Sequence, residues 1–584
     1  MEKWLVYSKK AEFENIAKEF NISPILARVI RNRDVAGTRK IKEYLNGTIE
    51  DMHSPWKLKD MERAVKIIRT KIKLSQKIRV VSDYDLDGIC AAYILVGGLE
   101  DLGARVDLKI PNRITDGYGI NDDIIKTAYA EGIDTIVTCD NGIAAIDSIN
   151  YAKKLGMTVI VTDHHEVPFE EKWSKREYLT SEADAIINPK QEECEYPYKE
   201  ICGATVAYKL IEALYEEFEK DTKEVLKYLQ FAAIATVGDV VELLGENRII
   251  VKAGLMMLNR NTNMGLNKLI KVNNLADKVI NSYHIGFVLG PCLNAAGRLD
   301  TAGTAFDLLR EKDTGKAMKL AVQLTELNKT RKNMTEKGVV TAKEDLKAFD
   351  MHPVIVIYLP DCHESVAGII AGRIRDYCYK PTIILTSAKE GVKGSGRSIE
   401  GYNMYDELAK CKKLLTKFGG HAMAAGLSLE EENVDVLRNM LNRICRLSQT
   451  DLTQKIWIDV PMPFEYASMQ LVEQLKILEP FGKGNEKPIF GEKGISILSL
   501  KVLGANQNVV RLKLANHTGC IMKGVCFEEG EKMIAYLKEQ FGEQEVQKAM
   551  AGIPNGIRLN IVYYPEINEY NGFKDVQVVI KRYM

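Results

Sequence analysis

Three aspartates at alternate positions, Asp83, Asp85 and Asp87, lead into a glycine in the stretch Val81-Ser82-Asp83-Tyr84-Asp85-Leu86-Asp87-Gly88. Carboxylates this close repel one another, and a bound cation or a proton must relieve the repulsion. If the stretch stays extended through Asp87, the period of two places all three on one face. Further along, apolar runs end in Asp140-Asn141-Gly142 and in Asp163-His164-His165-Glu166, and Asp239 stands in the apolar stretch Thr236-Val237-Gly238-Asp239-Val240-Val241. Carboxylate tips joined by an imidazole are the ligand set of a hard divalent ion such as Mn²⁺ or Mg²⁺. Zinc fits less well, because carboxylates dominate and no thiolate is suitably placed. The order Asp-x-Asp-x-Asp-Gly also opens a calcium loop of the EF-hand type, but that loop needs Glu at its twelfth position, where this chain has Ile94. Capping of a helix starting near Ile89 accounts for one aspartate, not three.

The elements that must position these groups follow a repeating order. Apolar strands over residues 78–82, 106–110, 133–139, 157–162 and 183–187 alternate with helical segments. Such runs predict a parallel sheet buried on both faces, with ligands gathered beyond the carboxyl ends of its strands. The third and fourth strands end in the Asp140 and Asp163 tips, and the second ends in Pro111-Asn112-Arg113. All these polar tips then converge on one edge.

Residues 203–260 read as helices, residues 290–298 as a loop holding Asn294 and Arg298, and residues 313–347 as a long helical connector. Strands resume at 354–358 and 382–385, giving a second α/β domain with loops at 362–368, at Lys393-Gly394-Ser395-Gly396-Arg397-Ser398 and at Gly419-Gly420-His421-Ala422-Met423-Ala424-Ala425-Gly426. The 393–398 stretch reads equally as a plain turn or, through backbone amides and a guanidinium, as a phosphate cradle. His363-Glu364 begins like a zinc-protease helix, but Ala367 stands where the second histidine is needed. Strands over 497–503, 509–514, 520–527 and 558–563 fit a small β-barrel. The expected domains are a helical lead-in (1–55), a first α/β domain (56–312), a connector helix (313–350), a second α/β domain (351–447) and a barrel (448–584).

The 584 residues suit several cores, and 80 basic residues balance 80 acidic ones, so any nucleic-acid surface must be a local basic face. One basic run, residues 61–79, carries Lys66, Arg69, Lys71, Lys73, Lys77 and Arg79, and reads first as a solvated face. The eleven cysteines are scattered with no metal-ligand spacing, as reduced core thiols in a cytoplasmic protein would be. No apolar run approaches the length of a membrane span.

With these residues in order, the chain resembles the DHH phosphoesterase superfamily, and within it the bacterial exonucleases that digest single-stranded DNA from 5′ to 3′. The resemblance rests on Asp83-Tyr84-Asp85-Leu86-Asp87-Gly88, Asp140-Asn141-Gly142, Asp163-His164-His165 and Gly238-Asp239-Val240. The 393–398 and 419–426 motifs are similar to the associated DHHA1 domain, and Glu479-Pro480-Phe481-Gly482-Lys483-Gly484-Asn485 to the entry of an OB-fold. It implies two divalent ions, Mn²⁺ or Mg²⁺, held by Asp85, Asp87, Asp140, His164 and Asp239, with Asp83 the least certain ligand and His165 beside them. Asp163 and His165 would serve catalysis, Arg113, Ser395 and Arg397 the 5′ phosphate, Asn294 and Arg298 the scissile strand, and His421 the nucleic acid. Val81, Cys292 and Cys362 depart from the family pattern. The implied activity is hydrolysis of single-stranded DNA to 5′ mononucleotides by a monomer in repair and recombination, beside a single-strand-binding protein and a helicase. The alternatives are a phosphodiesterase of short oligonucleotides or cyclic dinucleotides, and a strand-binding factor whose nuclease has decayed.

Overall fold

The computed structural model describes residues 2–113, 115–172, 175–260, 263–389, 391–504, 508–527, 530–570 and 572–584. They fall into two compact units, one of residues 52–241 and 250–454, the other of residues 2–51, 242–249 and 455–584.

The first unit opens with the basic segment. Helix α1 (Met61–Lys73) buries Met61, Ala64, Val65, Ile68 and Ile72 at helical spacing. Three of its cations are answered by acids: Lys66 pairs with Glu62, Arg69 with Glu217 and Lys71 with Asp134. Arg79 clamps Asp107 through two bonds of 2.8 Å and also reaches Glu131. This run is a neutralised face.

Strands β1 (Lys77–Ser82), β2 (Arg105–Lys109), β3 (Thr135–Cys139), β4 (Thr158–Thr162) and β5 (Ala185–Ile187) pair in the order β2-β1-β3-β4-β5, all parallel. From Ile78 on, β1 is buried throughout, as is β3, whereas the edge strand β2 alternates. Helices α2 (Leu86–Asp101), α3 (Gly203–Glu217) and α4 (Leu229–Gly238) pack together beside the sheet. The strand order reverses between β1 and β3, and such a switch point opens a crevice outside the carboxyl ends.

Residues 290–298, expected as a loop, are helix α5 (Gly290–Leu299), continuous with a π-helical turn at Ile285–Leu289. Its Gly and Pro suggest a loop by composition, but Pro291 falls where the π-helical turn passes into the α-helix, a junction at which the regular hydrogen-bond ladder already changes. Helix α6 (Thr314–Phe349), capped by Asp313 accepting from the Lys316 N–H, spans the stretch read as a connector. The second sheet consists of β6 (Ile355–Tyr358), β7 (Thr382–Ser387), β8 (Val392–Arg397), β9 (Lys417–His421) and β10 (Ala424–Leu429), ordered β9-β10-β8-β7-β6, with α7 (Glu364–Cys378) packed against it. The two glycine motifs expected as loops are therefore strands. Met404 and Leu385 press on the α-carbons of Gly396 and Gly394, so these glycines serve close packing.

In the second unit, β11 (Phe490–Leu503), β12 (Val509–Ala515), β13 (Ile521–Cys526), β14 (Arg558–Tyr570) and β15 (Phe573–Tyr583) pair in the order β11-β12-β13-β15-β14, and β14 pairs back with β11 to close the ring. The N-terminal helices, read as a lead-in of their own, share one core with it: Leu26, Ile30 and Tyr44 pack in the same cluster as Leu475, Phe490 and Tyr563. Helical spacing identified their apolar face but not what covers it. The buried Arg33–Asp459 pair, 2.7 Å apart, joins the same segments.

Candidate metal centre

Strand β1 ends at Ser82, whose hydroxyl donates to the carbonyls of Asp83 and Gly88, both at 2.7 Å. The chain then turns instead of staying extended. Asp85 caps α2, its Oδ1 accepting from the N–H groups of Asp87 (2.9 Å) and Gly88 (3.1 Å). The helix thus begins at Leu86, and the aspartates are not the symmetric ladder that an extended stretch would give. Asp87, in the first turn, accepts from the N–H groups of Gly203 and Ala204 at the start of α3, each at 2.7 Å. A β-carbon on Gly203 would stand 2.6 Å from Asp140 Oδ1, so only glycine lets α3 approach this closely.

Asp140 follows β3 with φ +60°, a left-handed conformation that asparagine and aspartate tolerate best. Asn141 braces the turn, donating to Val81 O (3.0 Å) and Cys139 O (2.8 Å) and accepting from the Ile120 N–H (3.1 Å). Beyond β4, the Asp163 carboxylate accepts from the N–H groups of Ile143, His164 and His165, and its Oδ1 lies 2.7 Å from His165 Nδ1. Asp163 is thus spent on holding the turn and the ring. Asp239 caps the end of α4.

These turns bring the donors together. His164 Nε2 lies 3.1 Å from Asp140 Oδ1, 3.5 Å from Asp87 Oδ2 and 3.8 Å from Asp239 Oδ2. Three donor groups result, each with atoms within 4.8 Å of one another: Asp83, Asp85 and Asp140; Asp87, His164 and Asp239; and Asp140, His164 and His165. Asp140 and His164 each belong to two of them. Asp83 stands in the first group beside Asp85, within the same 4.8 Å.

The electrostatics demand a cation. Burial first, and then neighbouring carboxylates, push Asp83 and Asp140 well above the usual carboxylate range, Asp87 to about 6 and Asp239 to about 7. The buried Asp83 Oδ1 and Asp140 Oδ1 receive no hydrogen bond, although His164 Nε2 is near the latter. Adjacent ligands aimed at a common point, rather than at each other, have this geometry. Burial lowers the His164 pKa and keeps its ring neutral, as a ligand must be. Oxygen donors with one imidazole fit Mn²⁺ or Mg²⁺. Burial opposes a charge on His165, but Asp163, then Asp239 and Asp87, outweigh it and push the ring up to about 9. Burial likewise works against the Asp163 carboxylate, yet His165, His164 and the Ile143 amide leave it below its ordinary range.

A second group of charges is cationic. Arg113 stacks over the Tyr84 ring, 5.1 Å from its centroid. Arg298 donates to Ser365 O at 2.8 Å, and burial, then Arg113 and Arg331, push it down to about 10. Arg397 is lowered by burial, then by Arg375 and Arg113. A β-carbon on Gly368 would meet Arg397 Nη2 at 2.9 Å and Ser395 Oγ at 3.4 Å, placing both beside α7. Asn294 lies one turn before Arg298 on α5, on the same face. His421 ends β9 opposite Ala424, which pairs with Arg397 on its other side, so two strand spacings, about 10 Å, separate His421 from Arg397.

Sequence reasoning missed Tyr118. Its hydroxyl lies 3.1 Å from Asp140 O and 3.3 Å from His165 Nε2, although the ring is half exposed. The one signal was an aromatic residue flanked by Gly117 and Gly119, both at positive φ.

The family model of the DHH N-terminal domain matches residues 77–236, that of the DHHA1 domain residues 352–447 and that of the RecJ OB domain residues 458–582. The chain is 34% identical over 573 residues to the single-stranded-DNA-specific exonuclease RecJ of Bacillus subtilis, covering 97% of this chain and 69% of that protein. It is 32% identical over 584 residues to RecJ of Escherichia coli, covering 96% of this chain and 95% of the other. The fold superposes on RecJ of Thermus thermophilus in complex with Mn²⁺ with a TM-score of 0.82, at 24% identity, over all of this chain and 79% of that one. A second manganese-bound exonuclease RecJ, 30% identical, matches 68% of this chain and 96% of its own with a TM-score of 0.58. By sequence over nearly its whole length, this chain belongs to the RecJ family of single-stranded-DNA-specific exonucleases.

Proposed function

We propose that the chain is a metal-dependent exonuclease that hydrolyses single-stranded DNA from its 5′ end and releases 5′ mononucleotides. The observation that carries this reading is the crowded donor set of Asp83, Asp85, Asp87, Asp140, His164 and Asp239, whose carboxylates repel one another, with arginines grouped in the same unit. Two divalent ions, Mn²⁺ or Mg²⁺, held by these residues would activate water at neutral pH and offset charge on the attacking and leaving oxygens.

The protein's own groups do the rest. Asp163 fixes the His165 proton at Nδ1, and the charged ring offers its Nε2 proton to a phosphoryl oxygen as charge develops there. The Tyr118 hydroxyl beside that ring steadies it. Arg113, Ser395 and Arg397 hold the terminal phosphate, which sets the polarity, while Asn294 and Arg298 face the strand. The second unit is a closed ring of the OB type, a fold that binds single strands without reading their sequence. His421 lies at the margin of this arrangement and contacts the nucleic acid only farther along the strand.

Among the described residues no helix is long and apolar enough to cross a membrane, and all eleven cysteines are free. We take the chain to act as a monomer in the cytoplasm, where free thiols stay reduced. A substrate that exists only where a duplex has been opened implies a helicase upstream and competition with a single-strand-binding protein, in repair and recombination.

The test is a nuclease assay with Mn²⁺ and with Mg²⁺ on 5′- and 3′-labelled strands of several lengths. Stepwise loss of 5′ nucleotides supports the proposal. Turnover confined to dinucleotides would favour the oligonucleotide phosphodiesterase, and binding without hydrolysis in any metal would favour the decayed factor.

A further inference from the structure

The backbone at Asp239 is fixed from both sides. Upstream, Asp239 ends helix α4, its N–H donating to Ala235 O at 2.8 Å. A β-carbon on the preceding Gly238 would stand 2.3 Å from Leu86 Cδ2, so α4 presses directly on the start of α2. Downstream, the chain passes into the second unit at Glu242, three residues on.

There it is received by residues 479–485, the stretch likened from sequence to the entry of an OB-fold. The Leu243 N–H donates to Lys483 O at 2.8 Å. A β-carbon on Gly482 would meet Leu243 Cδ1 at 2.6 Å, and one on Gly484, which has φ +72°, would meet Glu242 Cβ at 3.2 Å. The buried Asn485 keeps this loop in shape: its Nδ2 donates to Leu478 O and Pro480 O, both at 2.8 Å, and its Oδ1 accepts the Tyr44 hydroxyl at 2.8 Å. Farther along the same segment, the buried Arg248 donates to Tyr44 O (2.8 Å), Leu478 O (2.9 Å) and Ile477 O (3.0 Å). Arg248 and Asn485 thus share the Leu478 carbonyl, and segment and loop form one network.

Between the two anchors stands Val240, 60% exposed and at φ +59°. Among the described residues it is the one β-branched side chain at positive φ, a conformation that crowds its β-carbon against the backbone. A strained residue persists only where its surroundings over-determine it. Packing around a mostly exposed side chain does not do so, but the anchors on either side do.

We propose that residues 479–485 and Arg248 position the metal ligand Asp239: by fixing Glu242 and Leu243 they hold the strained turn at Val240, and with it the carboxylate's place beside Asp87 and His164. This rests on the reading of Asp239 as a metal ligand. It gives the Gly-Lys-Gly-Asn stretch a task other than leading into the barrel, and makes Gly482, Gly484 and Asn485 positioning residues.

Mn²⁺ binding to the full chain, without DNA, is titrated through the electron paramagnetic resonance of the free ion. Asp239→Asn identifies the binding step that Asp239 serves. Gly484→Ala should weaken that same step by about 10- to 100-fold, the usual cost of losing a support behind a ligand, and leave the other step unchanged. Val240→Gly, which frees the turn without touching the loop, should weaken it likewise, and tests the link even where Gly484→Ala does not fold. Combined, the two should cost no more than the larger alone, because they break one link; additive costs would overturn the inference. Leu512→Ala, in the barrel core, should lower the melting temperature and spare Mn²⁺ binding. If it weakens binding as Gly484→Ala does, general loosening of the second unit is the cause and the inference is overturned. If Asp239→Asn weakens a step that either folded variant, Gly484→Ala or Val240→Gly, leaves alone, this inference fails and the ligand reading stands. If Asp239→Asn changes neither step, the ligand reading fails and this inference with it.

Discussion

The carboxyl edge of the first sheet and helix α1 are both dense in charge, and they treat it in opposite ways. On α1 and the start of β1 each of Lys66, Arg69, Lys71 and Arg79 finds an acid within the fold. At the sheet edge Asp83, Asp87 and Asp140 are buried and Asp239 partly so; the four repel one another and are held above their ordinary range, and two of their oxygens receive no hydrogen bond. Local sequence separates the two, a solvated basic face against metal ligands, but does not show which acids answer the basic run. Charge that the fold neutralises contributes to stability, whereas charge that the fold concentrates and leaves open is held for something absent from the chain.

Several experiments can break or sharpen that contrast. The largest effect is expected at the residue shared by two donor groups. Asp140→Asn should lower turnover by more than about 10³-fold, yet raise the melting temperature of the metal-free chain by removing one repelling carboxylate. Calorimetry in EDTA beside a Mn²⁺ nuclease assay checks both, and a lowered metal-free melting temperature would contradict the contrast. Asp163→Asn should cost about 10- to 100-fold in turnover, the usual cost of losing an orienting partner, and should lower the pH at which His165 loses its proton, readable in the pH–rate profile.

Metal should stabilise in a pH-dependent way. Asp87 at about 6 and Asp239 at about 7 keep protons in the folded metal-free chain that the unfolded chain, with carboxyls near 3.8, has lost. Metal-free stability therefore falls as pH rises from about 4 to about 7. Mn²⁺ at a hundredfold over its Kd should add about 2.7 kcal/mol per site, with a larger shift at pH 8 than at pH 5; equal shifts would argue against these carboxylates as ligands.

At the neutralised face the consequences are small. Arg79→Met should cost about 1 kcal/mol of stability, because its carboxylate partners are half exposed, and should leave turnover intact. Lys66→Ala should change stability by less than about 0.5 kcal/mol. A turnover loss from either would make the basic face part of the strand path after all.

Much of this was legible in order and type. The runs before Asp83, Asp140 and Asp163 became the parallel strands β1, β3 and β4, because continuous apolar stretches can be buried on both faces only inside such a sheet. Residues 290–298 and 393–398 were misread, because glycine and proline were taken as turn formers. Leu385, Leu427 and Met404 show that Gly394 and Gly396 make room for neighbours inside a strand. Tyr118 stood in no motif, and only its contacts reveal it.

The sequence by itself determined that carboxylates and an imidazole would stand at strand ends, because apolar patterning fixes where strands run and the acids follow directly. Which donors face one another was decided only in three dimensions. Asp85 is partly spent on a helix cap, Asp163 on a ring and its turn, and Asp87 on two amides of α3, while Asp140 and His164 are left at the centre of the cluster. Those assignments depend on ångström-scale approaches between turns distant in sequence, such as Gly203 against Asp140, which the packing of whole helices sets and no local spacing encodes.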